Sequence, residues 1–303
     1  MINKLNIEDD VISIFDSTYS QEARALLIEL LGKVISRKEI ADRQLLLKTF
    51  VNNWQTLSSF FYSNYDMKEV MEFTKKQRKN RSFESLLSLF PSLKRDNIVL
   101  RSRCIQTISF LYDLHNFYSK RIAAILFPES LQGKIENINR FISVLDVDNY
   151  YNAIKNGALG IRKSTTFSKK LAELEPDFVD EFWKNLFEFE MYWSVARGIV
   201  NNSFSFPDLE NEAFSIRGFY HPSVKNAVRN NLSIDTNIVL LTGPNMSGKS
   251  TILKALSLCV YFAHIGVAVP AESCRIPYFE SFLFSINVND DIKNGYSGFM
   301  NEI

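Results

Sequence analysis

Gly243-Pro244-Asn245-Met246-Ser247-Gly248-Lys249-Ser250 decides how this chain is read. The stretch fits G-x-x-x-x-G-K-[ST], a loop whose backbone N–H groups cradle phosphates. Its context suits that reading. Ile238-Val239-Leu240-Leu241 reads as a buried strand entering the loop, and Thr251 to about Ile265 reads as a helix leaving it. Leu253, Leu256, Val260 and Ala263 recur there at helical spacing. The glycines let the backbone wrap a phosphate with successive N–H groups turned inward. The helix N-terminus adds partial positive charge. On these mechanics Lys249 bridges the β- and γ-phosphates of a nucleoside triphosphate and the Ser250 hydroxyl ligates Mg²⁺.

Upstream of the loop the texture is helical. Only five of 11 Gly and three of 8 Pro lie before residue 200, so few breakers interrupt long helices. Ala23, Leu26, Leu27, Leu30, Leu31 and Val34 give one segment an apolar face. Ser36 and Glu39 have the spacing of a capping box, opening a helix that carries Ile40, Leu47, Phe50, Val51 and Trp54. A long helix is predicted from about Asn97 to Leu126, ending before Pro128. Beyond Asn201 short apolar runs, turn residues and prolines take over, and Phe214 to Arg217 reads as a strand. The boundary is placed near Asn201 to Asn211, with a turn around Pro207, dividing the chain into 1–205 and 206–303.

Charge is balanced overall, Lys+Arg 35 against Asp+Glu 34, so nucleic-acid affinity must come from local patches. Nine basic residues from Lys75 to Arg103 face only Glu84 and Asp96. That run reads either as a phosphate-contacting face or as a solvated helix surface. Seven acids from Glu173 to Glu190 face only Lys184; with Phe182, Trp183, Leu186 and Phe189 between them, the segment reads as an amphipathic helix packed inward. Cys104, Cys259 and Cys274 make no disulfide framework and fit a reducing, cytoplasmic compartment. The Cys and His positions lack zinc-ligand spacing, and His115 and His264 fall within helical patterns that pack them. Ala255 to Pro270 is too short for a membrane span of about 20 residues.

The interior of the loop carries a narrower signal. Thr242 to Thr251, with its Pro-Asn-Met core, resembles the nucleotide loop of the MutS family of DNA mismatch-repair ATPases. Tyr220-His221-Pro222-Ser223-Val224, Arg229-Asn230-Asn231, Gly266 to Glu272, Asn289-Asp290-Asp291 and Ser297 to Glu302 resemble further family segments in order and spacing. The likeness is specific over roughly Phe214 to Ile303 and loose over residues 10 to 200, where Ile14 to Leu47 looks like the family's first core helices.

The resemblance implies an α + α/β architecture: a helical core and lever domain, then the N-terminal part of an ABC-type P-loop ATPase domain. It implies ATP and Mg²⁺ as cofactors, a homodimer sandwiching each nucleotide, and DNA as partner, whether duplex, mismatched or branched. No membrane partner is implied. By position, Gly243, Pro244, Asn245, Met246, Ser247, Gly248, Lys249, Ser250 and Thr251 hold the phosphates. Asn230 lies near the nucleotide, and Ser297 reaches the partner's γ-phosphate.

Departures qualify the resemblance. Ser281 to Ile286 is an apolar strand candidate, but it leads to Asn287 rather than to the family's acidic pair. The expectation is therefore a member or fragment that ends before that acid and lacks the N-terminal mismatch-recognition domain. Phe127-Pro128-Glu129 fits the wedge tripeptide but stands at a helix end. The segment between the lever helices is short, which leaves the DNA clamp reduced or missing. Ala227 replaces an aromatic beside the adenine, Tyr220 replaces Arg, and Gly298 replaces Thr. His221-Pro222 reads as a turn. A different ABC or chromosome-maintenance ATPase, a nucleotide-gated scaffold, and a helical interaction protein with a vestigial nucleotide fold are the alternatives.

Overall fold

A computed structural model describes residues 12–79, 94–210, 212–244 and 247–284. Its helices are α1 (Gln21–Leu31), α2 (Arg37–Asn52), α3 (Trp54–Leu57), α4 (Asn64–Lys79), α5 (Lys94–His115), α6 (Glu129–Val144), α7 (Val147–Lys155), α8 (Ile161–Glu173), α9 (Pro176–Asn202) and α10 (Lys249–His264). The strands are β1 (Phe214–Phe219), β2 (Asn230–Ile234) and β3 (Ser273–Arg275). The chain forms two compact units. One comprises Met1–Asp16, Leu27–Lys48 and Val195–Ile303; the other comprises Ser17–Leu26 and Thr49–Ser194.

Among its described residues the second unit has helices and no strand, and its core is aromatic. Phe60, Phe117, Tyr118 and Phe189 meet ring to ring at 5.1–6.5 Å. All four are buried, and burying each such ring stabilises by about 1.5–3 kcal/mol. As the spacing predicts, Phe182, Trp183, Leu186 and Phe189 of the acidic helix face inward. The long helix differs from its expected extent. It runs from Lys94 to His115 and continues as a π-helical segment, Asn116–Arg121, stopping short of Leu126. The wider turn, closed by Ile122 N to Phe117 O at 3.1 Å, seats both Phe117 and Tyr118 in the core. Phe127-Pro128-Glu129 is a helix start, with Pro128 as the N-cap of α6 and Phe127 buried.

Glu190 is a buried exception among the seven acids. Its carboxylate accepts from Tyr19 N, from Ser20 N at 2.9 Å, from Ser20 Oγ at 2.7 Å, and from the Tyr62 hydroxyl. Ser20 Oγ in turn accepts Ala23 N at 3.1 Å, so the acid braces the capped start of α1. Burial pushes the Glu190 carboxyl above its usual range, while the bonds from Tyr62 and Ser20 pull it back. Burial, then the charge of Glu190, raises the Tyr62 hydroxyl.

The first unit holds the sheet. Its strand order is β2-β1-β3, antiparallel throughout. The capping box forms as predicted: Glu39 Oε2 accepts Ser36 N at 2.9 Å and Ser36 Oγ at 2.6 Å, and Glu39 N reaches Ser36 Oγ at 3.4 Å. Hydrogen bonds from the Ser36 side chain and backbone hold the Glu39 carboxyl below its usual range. The helix it opens ends at Asn52, and Trp54 belongs to the separate short helix α3. Near the expected turn, Gln44 Nε2 donates to Pro207 O at 3.1 Å.

Two strand expectations are corrected. Ile238 to Leu241 form no strand, and Ile238 and Leu240 are 79% and 85% exposed. Residues 281–284 form none either. An apolar run becomes a buried strand only when neighbouring strands satisfy its N–H and C=O groups on both edges. Among the described residues no strand pairs with either run. Among the described residues the fold is helical with a small antiparallel sheet, a mixed α and β architecture.

Candidate nucleotide site

The predicted loop lies at the start of α10 in the first unit. Gly248 is its N-cap, at φ +89°. That left-handed conformation costs an L-residue roughly 1–2 kcal/mol, which is why a glycine stands there. Ile252 N bonds Gly248 O at 2.9 Å, closing the first helical turn. The amides of Lys249, Ser250 and Thr251 then have no acceptor within the helix and point out of its N-terminus.

The loop folds back onto its own cation. Lys249 Nζ donates to Gly243 O at 2.7 Å and to Pro244 O at 2.6 Å. Ser247 N donates to Pro244 O at 3.3 Å. At Gly243 (φ +156°) a Cβ would lie 3.0 Å from Ser247 Oγ, so the turn is tight as well as positively charged. Ser250 and Thr251 are exposed. These residues fit a phosphate group: two glycines, a tethered ammonium, unpaired first-turn amides and an exposed hydroxyl lie within one short span. Asn245, Met246 and Ser297 lie outside the described residues.

Other predicted residues lie in or beside β1 and β2. Asn230 begins β2 opposite Phe219 and turns its Nδ2 onto Val228 O at 2.9 Å, away from any described contact with the loop. Tyr220, considered for base stacking, is covered by the Arg229 guanidinium at 4.9 Å and donates its hydroxyl to Asn202 O at 3.0 Å. His221 O accepts Val224 N at 3.1 Å, so the His-Pro pair makes the turn read from sequence.

Gly266 to Glu272 packs the base of the unit. Val267, Ala268 and Val269 are fully buried, Ser205 and Val269 form a bridge, and Glu272 N bonds Arg217 O at 2.9 Å. Arg43 Nη1 reaches Ile265 O at 2.6 Å.

His264 is packed, as expected. It is fully buried against the rings of Tyr278 and Phe279. Phe279 N donates to its Nε2 at 2.8 Å, and its Nδ1 lies 2.7 Å from Val260 O. One ring nitrogen must accept and the other donate, which requires neutral imidazole. Burial lowers its pKa accordingly, although the Val260 carbonyl opposes this. Cys104, Cys259 and Cys274 are free and buried, and burial pushes the Cys274 thiol up to about 12. Among the described residues no His, Cys, Asp and Glu group could hold a metal ion, and no helix is long and apolar enough to cross a membrane.

The sequence reading missed one cationic group. Residues 156–172 contain no acid, and Arg162, Lys163, Lys169 and Lys170 fall within them. A count of opposite charges over longer windows would have found it. Of the basic run that was singled out, residues 80–93 lie outside the described set; Lys75 and Arg101 are exposed.

A likeness to known proteins spans the loop. Residues 239–303 match the family model described as MutS domain V. The chain is 35% identical over 138 residues to the DNA mismatch repair protein MutS of a Thermus thermophilus strain, covering 45% of this chain and 17% of that protein. It is 35% identical over 137 residues to the protein of that name from Clostridioides difficile (strain 630), covering 42% and 14%. Against that of Fusobacterium nucleatum it is 34% identical over 119 residues, covering 36% and 13%. The matches thus span no more than 17% of the length of these curated relatives. The glycine-lysine loop and its neighbours lie within the matched segment, and over residues 239–303 the chain is similar to MutS domain V.

Proposed function

We propose that this chain belongs to an ATP-dependent DNA-maintenance protein in which nucleotide bound at residues 243–251 changes how DNA is held. The observation carrying this reading is the tether of Lys249 to Gly243 and Pro244 at the N-terminus of α10, inside the MutS domain V match. On this reading Lys249 would exchange its two carbonyl partners for the β- and γ-phosphate oxygens. The first-turn amides would hold the same phosphates, and the Ser250 hydroxyl would ligate Mg²⁺. Mg²⁺ would supply charge neutralisation between the phosphates.

The domains are proposed as 1–205, a core and lever, and 206–303, a partial ATPase domain. The division between the two compact units falls within α1, α2 and α9. Those helices are the proposed levers by which ATP-driven closure of a homodimer reaches DNA. Asn230 and, across the dimer, Ser297 complete the proposed nucleotide contacts.

The relatives' printed names point to mismatch repair as the process. The test is binding of duplex, mismatched and branched DNA by the intact chain with and without Mg·ATP. A nucleotide-dependent change in affinity supports the reading. Affinities that are the same with nucleotide, without it and in Lys249→Ala would overturn it.

A further inference from the structure

The second unit carries a cationic face that the nucleotide site does not use. On α8 Arg162, Lys163, Thr166 and Lys169 are exposed, while Ser164, Phe167, Ser168 and Leu171 are buried. With 3.6 residues per turn, Arg162, Thr166 and Lys169 line one solvent stripe, with Lys163 and Lys170 along its flank. Glu173 is the single acid on that stripe and stands at its C-terminal end. Among the described residues, Arg162, Lys163 and Lys169 make no ion pair.

Neighbouring helices carry further cations that rest on rings, and Tyr150 of α7 links them to α8. Tyr112 of α5 stacks on Tyr151 of α7 at 3.6 Å with the planes 9° apart. Lys120 lies over Tyr112 at 5.7 Å, and Lys155 lies over Tyr151 at 5.3 Å. Tyr150 meets Phe167 of α8 at 5.1 Å, and Lys170 lies over Tyr150 at 5.5 Å. At the start of α8, Arg101 Nε donates to Leu159 O at 2.7 Å, holding its charge there. The acids of α7 are engaged: Asp148 pairs with His115 at 3.2 Å, and Asp146 accepts Asn149 Nδ2 at 2.7 Å. A cation resting on an aromatic ring gives up less conformational freedom when it meets an anion.

We propose that the α8 face, with Lys120 and Lys155 beside it, is the surface on which this chain holds the phosphate backbone of duplex DNA. The inference rests on the DNA-maintenance reading and gives that reading a location. Charge complementarity carries it: unpaired cations spread along a helix suit a regularly spaced polyanion, and neutralising phosphates releases counterions.

The test is a salt titration of the intact chain on a labelled duplex oligonucleotide. Arg162→Gln/Lys163→Gln/Lys169→Gln removes three charges from exposed helix positions and keeps good helix formers. The slope of log K against log salt should fall by about three. Lys120→Gln/Lys155→Gln should lower it by about two, which provides a second reading if the triple variant loses its helical circular dichroism. Lys33→Gln/Lys38→Gln, at exposed positions of the other unit, should leave it unchanged. Duplex binding with unaltered slope in both α8-face variants would overturn the proposal while leaving the DNA reading intact. Absence of binding by the unsubstituted chain at low salt would overturn both. Tighter binding of a duplex RNA of the same sequence, lost in the same variants, would overturn the choice of DNA.

Discussion

Lys249 Nζ donates to the carbonyl oxygen of Gly243 at 2.7 Å, so the loop's cation is held by the first residue of its own motif. A lysine restrained in this way presents its charge beside the first-turn amides of α10 before any anion arrives. The relationship depends on the backbone path between the two glycines.

Gly248→Ala tests that path. Apart from its chain neighbours and its own helix backbone, no described atom lies within 4 Å of the position a Cβ would take, so the cost is conformational and not steric. With φ at +89°, alanine should destabilise by about 1–2 kcal/mol. Urea unfolding should show a lowered midpoint with an unchanged slope. A midpoint equal to that of the parent chain would show that the loop relaxes freely.

Gly218→Ala tests a second left-handed glycine. Its φ is +63°, and a Cβ would lie 2.5 Å from Glu272 Cδ, in a side chain that is 63% exposed and free to swing aside. Backbone strain should therefore set the cost, about 1–2 kcal/mol, read as a fall in Tm. Glu272→Ala in the same background should leave that loss unchanged.

Glu190 and His264 should oppose each other as pH changes. Burial raises the folded-state pKa of Glu190 above its unfolded value. Its contribution is complete below the unfolded pKa and is lost as pH rises through the folded one. His264 has a lowered folded-state pKa, so the unfolded chain takes up a proton first and stability falls as pH drops below about 6.5. His264→Gln should flatten the decline below about pH 6.5 in chemical-denaturation curves. Glu190→Gln should flatten the loss on the rising side of the carboxyl range. Glu190→Ala strands the Tyr19 and Ser20 amides and should cost at least about 3 kcal/mol.

What could be read in advance follows how local the physics is. The Ser36–Glu39 box spans one helical turn, so its spacing alone predicted both reciprocal bonds. The inward face of α9 was legible from Phe182, Trp183, Leu186 and Phe189 because the helical period fixes it. Glu190 was not, because only Ser20 and Tyr62, distant in sequence, distinguish it from the six other acids of that segment. Ile238 to Leu241 has a strand's composition, but partners on both edges make a strand, and no periodicity reveals whether they are present. At the candidate site, Gly248, Lys249 and the start of α10 were legible from the motif. The bonds of Lys249 to Gly243 and Pro244 follow from the turn's path and not from residue type.

The most direct measurement is titration calorimetry of the intact chain with Mg·ATP, run in parallel on Lys249→Ala. Saturable binding by the parent, lost or weakened at least tenfold in the variant, is the predicted result. No heat from the parent, or the same binding isotherm from both proteins, would contradict a nucleotide site at residues 243–251.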